Sequence, residues 1–145
     1  MNKLITIILL AIFIASNFSS CKKNDDKTPS KILTSHKWRL FRVGQSSDDI
    51  NISWSSPTDS CVSDDTWLIS DNGQLIWDNG VIKCSSTDPQ IYYNGTWQLE
   101  SNNTIIRLNN GNNPDLKVIN LTENSLTTIE LDSFYPHDCY DLVPY

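Results

Sequence analysis

The sequence predicts an all-β domain, an antiparallel up-and-down meander closing into a small barrel of about eight strands. Three observations predict it. Beyond Lys31 no stretch sustains the 3.6-residue apolar period of an amphipathic helix. Apolar and polar residues instead alternate with period two in short pieces. Clusters of Asn, Asp, Gly and Ser separate the pieces, and such short connections favour antiparallel neighbours.

The elements follow in order. A turn of helix at Ser30–Ser35 is the only helical candidate. The segment Lys37–Val43 opens the strands with Trp38 and Leu40, and Ile50–Trp54 is a weaker strand. Thr66–Ser70 and Gln74–Asp78 form a hairpin around Asp71-Asn72-Gly73, with Gly73 in the left-handed position of a three-residue loop. That loop sets Trp67 across from Trp77 and Ile69 across from Leu75, so large apolar side chains face one another on the inner face. Tyr93–Glu100 directs Trp97 and Leu99 inward. Thr104–Leu108, Leu116–Leu121 and Ser125–Leu131 complete the series, the last two joined by Thr122-Glu123-Asn124. The tail Phe134–Tyr145 receives no role.

Residues 1–20 read as a secretory leader. Lys3 supplies the positive start, and Leu4 to Ala15 is apolar except for Thr6. The run is too short to cross a hydrocarbon layer of about 30 Å. Phe18-Ser19-Ser20-Cys21 then resembles the lipobox of bacterial lipoproteins. A thiolate there is nucleophilic enough to take a diacylglyceryl thioether, so Cys21 is the expected site of lipid attachment. Each buried methylene contributes about 0.8 kcal/mol, and two or three acyl chains therefore hold a protein on a membrane almost permanently. The expected organisation is a leader over 1–20, a flexible tether over 21–31, and a barrel over 32–145. The expected address is the bacterial outer membrane, facing the periplasm or the cell surface.

Seventeen acidic residues stand against eleven basic ones, and losing Lys3 with the leader makes the balance about −7. Such a surface repels phosphate backbones, and no Lys/Arg cluster offsets it, so nucleic acid is excluded as a partner. Three cysteines remain after Cys21 in an oxidising compartment: Cys61, Cys84 and Cys139. Cys61 and Cys84 bracket the hairpin, and its register puts Cys61 opposite Lys83. An extra residue near Asn79-Gly80 would close that one-step gap. Bridges from Cys139 to either partner stay open on these grounds.

Several segments together resemble a family: Lys37-Trp38-Arg39-Leu40, Asp64-Asp65-Thr66-Trp67 with Ser70-Asp71-Asn72-Gly73, Lys83-Cys84, and Asn94-Gly95-Thr96-Trp97-Gln98-Leu99. Their spacing is similar to that of the lipocalin-like lipoproteins of Bacteroidota. The resemblance spans nearly all of residues 32–131. It implies a barrel with an apolar interior, and it implies that Cys61 pairs with Cys84.

Five Trp in so small a domain suggest either a ligand pocket or a filled interior, since an eight-stranded barrel is only just wide enough for side chains. Trp38, Trp67, Ile69, Leu75, Trp77, Trp97 and Leu99 are the candidate lining. No G-x-S-x-G, no H-E-x-x-H and no Gly-rich phosphate loop is present, so neither catalysis, a cofactor nor a metal site is expected. The paired Asp64 and Asp65 fall on opposite faces of a strand and cannot share a proton. The Asn-rich loop 109–115 lacks the Asp spacing of a calcium loop and reads as a solvated turn. The function expected is a monomeric, membrane-anchored carrier of a small apolar or amphipathic ligand. The alternative is a packed interaction module working through its loops.

Overall fold

The computed structural model describes residues 27–48, 50–55, 60–109, 113–132 and 136–145. The leader and Cys21 lie outside these residues. Period-two alternation becomes nine strands: β1 (Lys37–Ser46), β2 (Ile52–Trp54), β3 (Thr66–Ile69), β4 (Gln74–Asp78), β5 (Ile91–Glu100), β6 (Ile105–Leu108), β7 (Asp115–Thr122), β8 (Ser125–Leu131) and β9 (His137–Pro144). Among the described residues one helix, α1 (Pro29–Thr34), precedes them, and a 3₁₀ turn (Ser60–Val62) precedes β3.

From β3 to β9 each strand pairs antiparallel with the next, and β9 returns to pair with β1 from Trp38↔Pro144 to Ser46↔His137. With β1 also pairing with β3, eight strands make a closed antiparallel barrel, as the sequence predicts. β2 is an addition that extends the β1 edge beyond β3. The closing strand comes from the tail to which the sequence reading gave no role.

The β3–β4 hairpin has the expected register, Trp67↔Trp77 and Ile69↔Leu75. Gly73 takes φ +85°, and its N–H donates to the Ser70 carbonyl over 3.0 Å. Three bulges interrupt the ladders at Phe41, Tyr92 and Ile119. All three side chains are large and substantially solvent-exposed. An extra residue shifts the alternation by one, so β1 faces Trp38 and Leu40 inward before its bulge and Val43 and Gln45 inward after it.

One end of the barrel is closed by α1. Pro29 opens the helix, where its missing N–H costs nothing, and the Thr28 Oγ1 accepts from the Lys31 N–H over 3.4 Å. Leu33 is fully buried, and the Trp38 indole donates to the Leu33 carbonyl over 2.8 Å, tying the helix to β1. A Lys27–Glu123 ion pair fastens it to the β7–β8 turn over 2.8 Å. The helix thus takes in Pro29, Ser30 and Lys31, which the sequence reading assigned to the tether. Above this plug Leu40, Ile69, Leu75, Ile106, Leu126 and Leu142 form one buried cluster with Trp38, Trp67 and Trp97. Ser46, Ile52 and His137 meet at the opposite end of β1.

A disulfide joins Cys61 and Cys84 across the hairpin base, which excludes a bridge from either to Cys139. The expected extra residue in the β3–β4 ladder is not how the gap closes. Pairing stops at Thr66↔Asp78, and the cysteines meet through the 3₁₀ turn and a loop in which Gly80 adopts φ +61°. Asp64 braces that loop by accepting the Val81 and Ile82 N–H groups over 2.6 and 3.1 Å. Cys139 is fully buried, with its thiol toward the His137 carbonyl, so it is shielded in the folded protein.

Candidate functional site

The open end is built from inward positions of β1, β2, β4, β8 and β9. Its centre is Tyr140. Position 140 shares the inner face with Leu142, and its ring packs against Trp67 and Trp77 with centroids 5.4 and 5.1 Å away. Trp67 and Trp77 touch each other at 5.2 Å, and Tyr92 closes on Trp77 at 5.2 Å. Tilted and edge-on pairs of this kind are the favoured aromatic contacts.

Two spaces flank this cluster. One is an open mouth of about 410 Å³ walled by Val43, Gln45, Ser53, Ser55, Asp138 and Tyr140. The other is an apolar slot of about 30 Å³ between Trp67, Leu75, Trp77, Tyr93, Leu116 and Glu130. The slot holds no more than a water or two. The mouth lies within the usual size range of small-molecule sites, about 300–1,000 Å³.

Polar groups are placed sparsely inside. The Tyr140 hydroxyl donates to Glu130 Oε1 over 2.6 Å. Burial, followed by the charge of Glu130, pushes the Tyr140 phenol far above its ordinary value. Burial also raises the Glu130 carboxyl, partly offset by the Tyr140 hydrogen bond. Asp65, on the inner face just before β3, is 1 % exposed, and burial pushes its carboxyl up to about 6. The nearby Trp77 indole offsets part of that rise. Among the described residues, Asp65 Oδ1 and the Trp67 indole N–H lack a hydrogen-bond partner. Asp64 and Asp65 do diverge, one to the loop amides and one inward, in keeping with opposite faces.

The seven residues expected to line a pocket separate into two groups. Trp38, Ile69, Trp97 and Leu99 pack in or against the core toward the helix-plugged end. The Trp97 indole is spent on the Ser70 carbonyl at 3.0 Å, away from the mouth. Trp67, Leu75 and Trp77 do wall the slot. The candidate lining is therefore not one surface: Trp97 belongs to the closed half and does not wall the slot with Trp67, Leu75 and Trp77. Tyr140, Glu130, Asp138, Gln45 and Ser53 were missed. A signal existed in the tail, where Tyr140, Leu142 and Pro144 alternate with Asp141 and Val143.

The loop after β6 is occupied structurally. Asp115 accepts the Leu108 N–H over 3.0 Å and pairs with Arg107 at 2.9 Å. Residues 110–112 of that loop lie outside the described residues. Among the described residues no three His, Cys, Asp or Glu side chains gather where a metal ion could be held.

A closed eight-stranded meander, plugged by a helix at one end and open at the other, defines a calyx-type β-barrel. A model of the lipocalin-like domain matches residues 34–128, well over half of the chain, and the chain belongs to that family. The match ends within β8, so the closing strand β9 lies beyond it. No curated protein matches the chain.

Proposed function

We propose that this is a lipid-anchored carrier or receptor for a small amphipathic molecule, seated in the open mouth above Tyr140. The observation that carries the reading is a mouth of about 410 Å³ lying over a filled lower barrel. The ligand sits on top of the aromatic cluster instead of threading the barrel, and that favours a compact, ring-bearing molecule over a long acyl chain. Apolar contact comes from Val43 and Tyr140, and orientation from Gln45, Ser53, Ser55 and Asp138. The anchor is the lipid on Cys21, which follows the apolar leader and the small residues Ser19 and Ser20. It would hold the domain at the bacterial outer membrane as a monomer.

Native mass spectrometry of protein purified from its host tests the carrier reading. A retained small molecule, released by Tyr140→Ala in a folded variant, supports it. Bare protein together with no change in Trp emission against a broad set of ring-bearing compounds overturns it. The packed interaction module, which the interlocked Trp67, Trp77 and Tyr140 favour, then takes its place. Metabolic labelling with an alkyne fatty acid tests the anchor: label lost in Cys21→Ser supports it, and label retained refutes it.

A further inference from the structure

We infer that the helix-plugged end of the barrel rests on the anionic headgroups of the membrane through Lys31, Lys37, Leu68 and Tyr145, with the mouth pointing away. This inference rests on the Cys21 anchor proposed above. Strand β1 is polarised along its length. Around its start Lys27, Lys31 and Lys37 are all exposed, the second of them in the last turn of α1. Around its far end the charges are acidic. Ser46 there hydrogen-bonds Asp48 and pairs with His137, His137 is held by Asp132, and Asp138 stands opposite Gln45. Two acids do lie on turns at the plugged end: Glu123, which is paired with Lys27, and Asp71. Neither is paired with Lys31 or Lys37.

Apolar side chains flank this cationic edge. Lys37 stands across from the exposed Leu68 on the outer face, and its ammonium lies 5.1 Å from the centre of the Tyr145 ring. Tyr145 is 75 % exposed, and its N–H donates to the Lys37 carbonyl over 2.8 Å. An exposed tyrosine ring beside a lysine with an apolar stem suits the headgroup layer, where ring and stem meet lipid and the ammonium meets phosphate. Farther along the same wall Asp64 and Asp78 line a groove with Val81, and their charge ends the contact there. The anchor fixes which end can reach the membrane. Cys21 lies six residues before Lys27. Six residues span about 20 Å when fully extended, so the lysine-bearing end stays within that distance of the lipid. Headgroup phosphates then attract the lysines and repel the acids of the opposite end.

The test places the lipidated protein in vesicles of phosphatidylcholine alone and in a roughly 7:3 mixture with phosphatidylglycerol. Amine acetylation is then followed lysine by lysine in a mass spectrometer. Lys31 and Lys37 should react about fivefold more slowly on the anionic vesicles than on the neutral ones. That protection should vanish in about 1 M salt, which shortens the screening length to about 3 Å. Lys83, in the β4–β5 loop, should react equally on both. Equal rates for Lys31 and Lys37 on the two vesicles, or protection of Lys83 in their place, would overturn the orientation while leaving the anchor standing. Flotation separates the two readings: protein that floats with neither vesicle carries no lipid, and that result removes anchor and orientation together.

Discussion

Arg42 on β1 and Asp141 on β9, 99 residues apart in sequence, form an ion pair with Nε 2.9 Å from Oδ2 on the outer face of the barrel. Asp141 also accepts the Thr127 hydroxyl over 3.0 Å, so one carboxylate links β1, β9 and β8. Asp141 is mostly buried, and a network of this sort is worth more than an isolated surface pair. Asp141→Ala leaves Arg42 half-buried without its partner. It should lower stability by about 2–4 kcal/mol, measured by urea unfolding. A change below 0.5 kcal/mol would mean that the seam is held by backbone pairing alone.

The Cys61–Cys84 bridge closes a loop over the hairpin base. Cys61→Ser should cost roughly 2–5 kcal/mol, the usual penalty for losing a native bridge in a small secreted domain. Non-reducing peptide mapping should recover Cys61 linked to Cys84. Cys139 should resist alkylation in the folded protein and react on unfolding, because it is buried. Rapid native alkylation of Cys139 would contradict its placement.

Gly80 stands at φ +61°, and a Cβ there would lie 2.4 Å from the Asp64 carboxyl carbon. Gly80→Ala therefore adds left-handed strain of about 1–2 kcal/mol and displaces the carboxylate that accepts the Val81 and Ile82 amides. Faster hydrogen exchange at those two amides should accompany the loss. Unchanged exchange would show that Asp64 is not what braces the loop.

Stability should fall as pH rises through the Asp65 titration. Its folded carboxyl, raised by burial to about 6 from 3.8, binds its proton more tightly than the unfolded chain does. The favourable contribution is therefore complete below about pH 4 and lost by the time pH passes about 6. Glu130, raised in the same direction by burial, adds to the trend. Asp65→Asn removes the charge and should raise stability at pH 7 by about 1 kcal/mol, with a flatter profile between pH 4 and 6. A steeper profile in that variant would reverse the assignment.

Where alternation ran unbroken, the sequence was enough. Trp67, Ile69, Leu75 and Trp77 alternate cleanly around the Gly73 turn, so the register was legible there, whereas the register left the Cys61 partner open and the family resemblance supplied it. Legibility failed where a face was covered on both sides. In β9, His137, Cys139 and Asp141 are buried on the outer face while Tyr140 and Leu142 are buried within, so the pattern reads as no strand at all. The bulges at Phe41 and Tyr92 likewise put large apolar residues outside and moved the inward set by one. The mouth escaped notice for the same reason: Tyr140, Asp138 and Gln45 lie on the unread strand or beyond a shifted phase.

The seam between β1 and β9 also governs the order in which the chain can fold. The first strand and the last must find each other across nearly the whole domain, while every other ladder except β1–β3 joins strands close in sequence. Such long-range pairing is entropically late and slow. Until it occurs, β1 and β8 present open edges to any neighbouring chain. A polypeptide emerging amino-terminus first from a membrane pore would have hairpins on one side well before it had a partner for β1. A holding factor that shields β1 during passage would be needed for a shorter time the faster the last ten residues arrive.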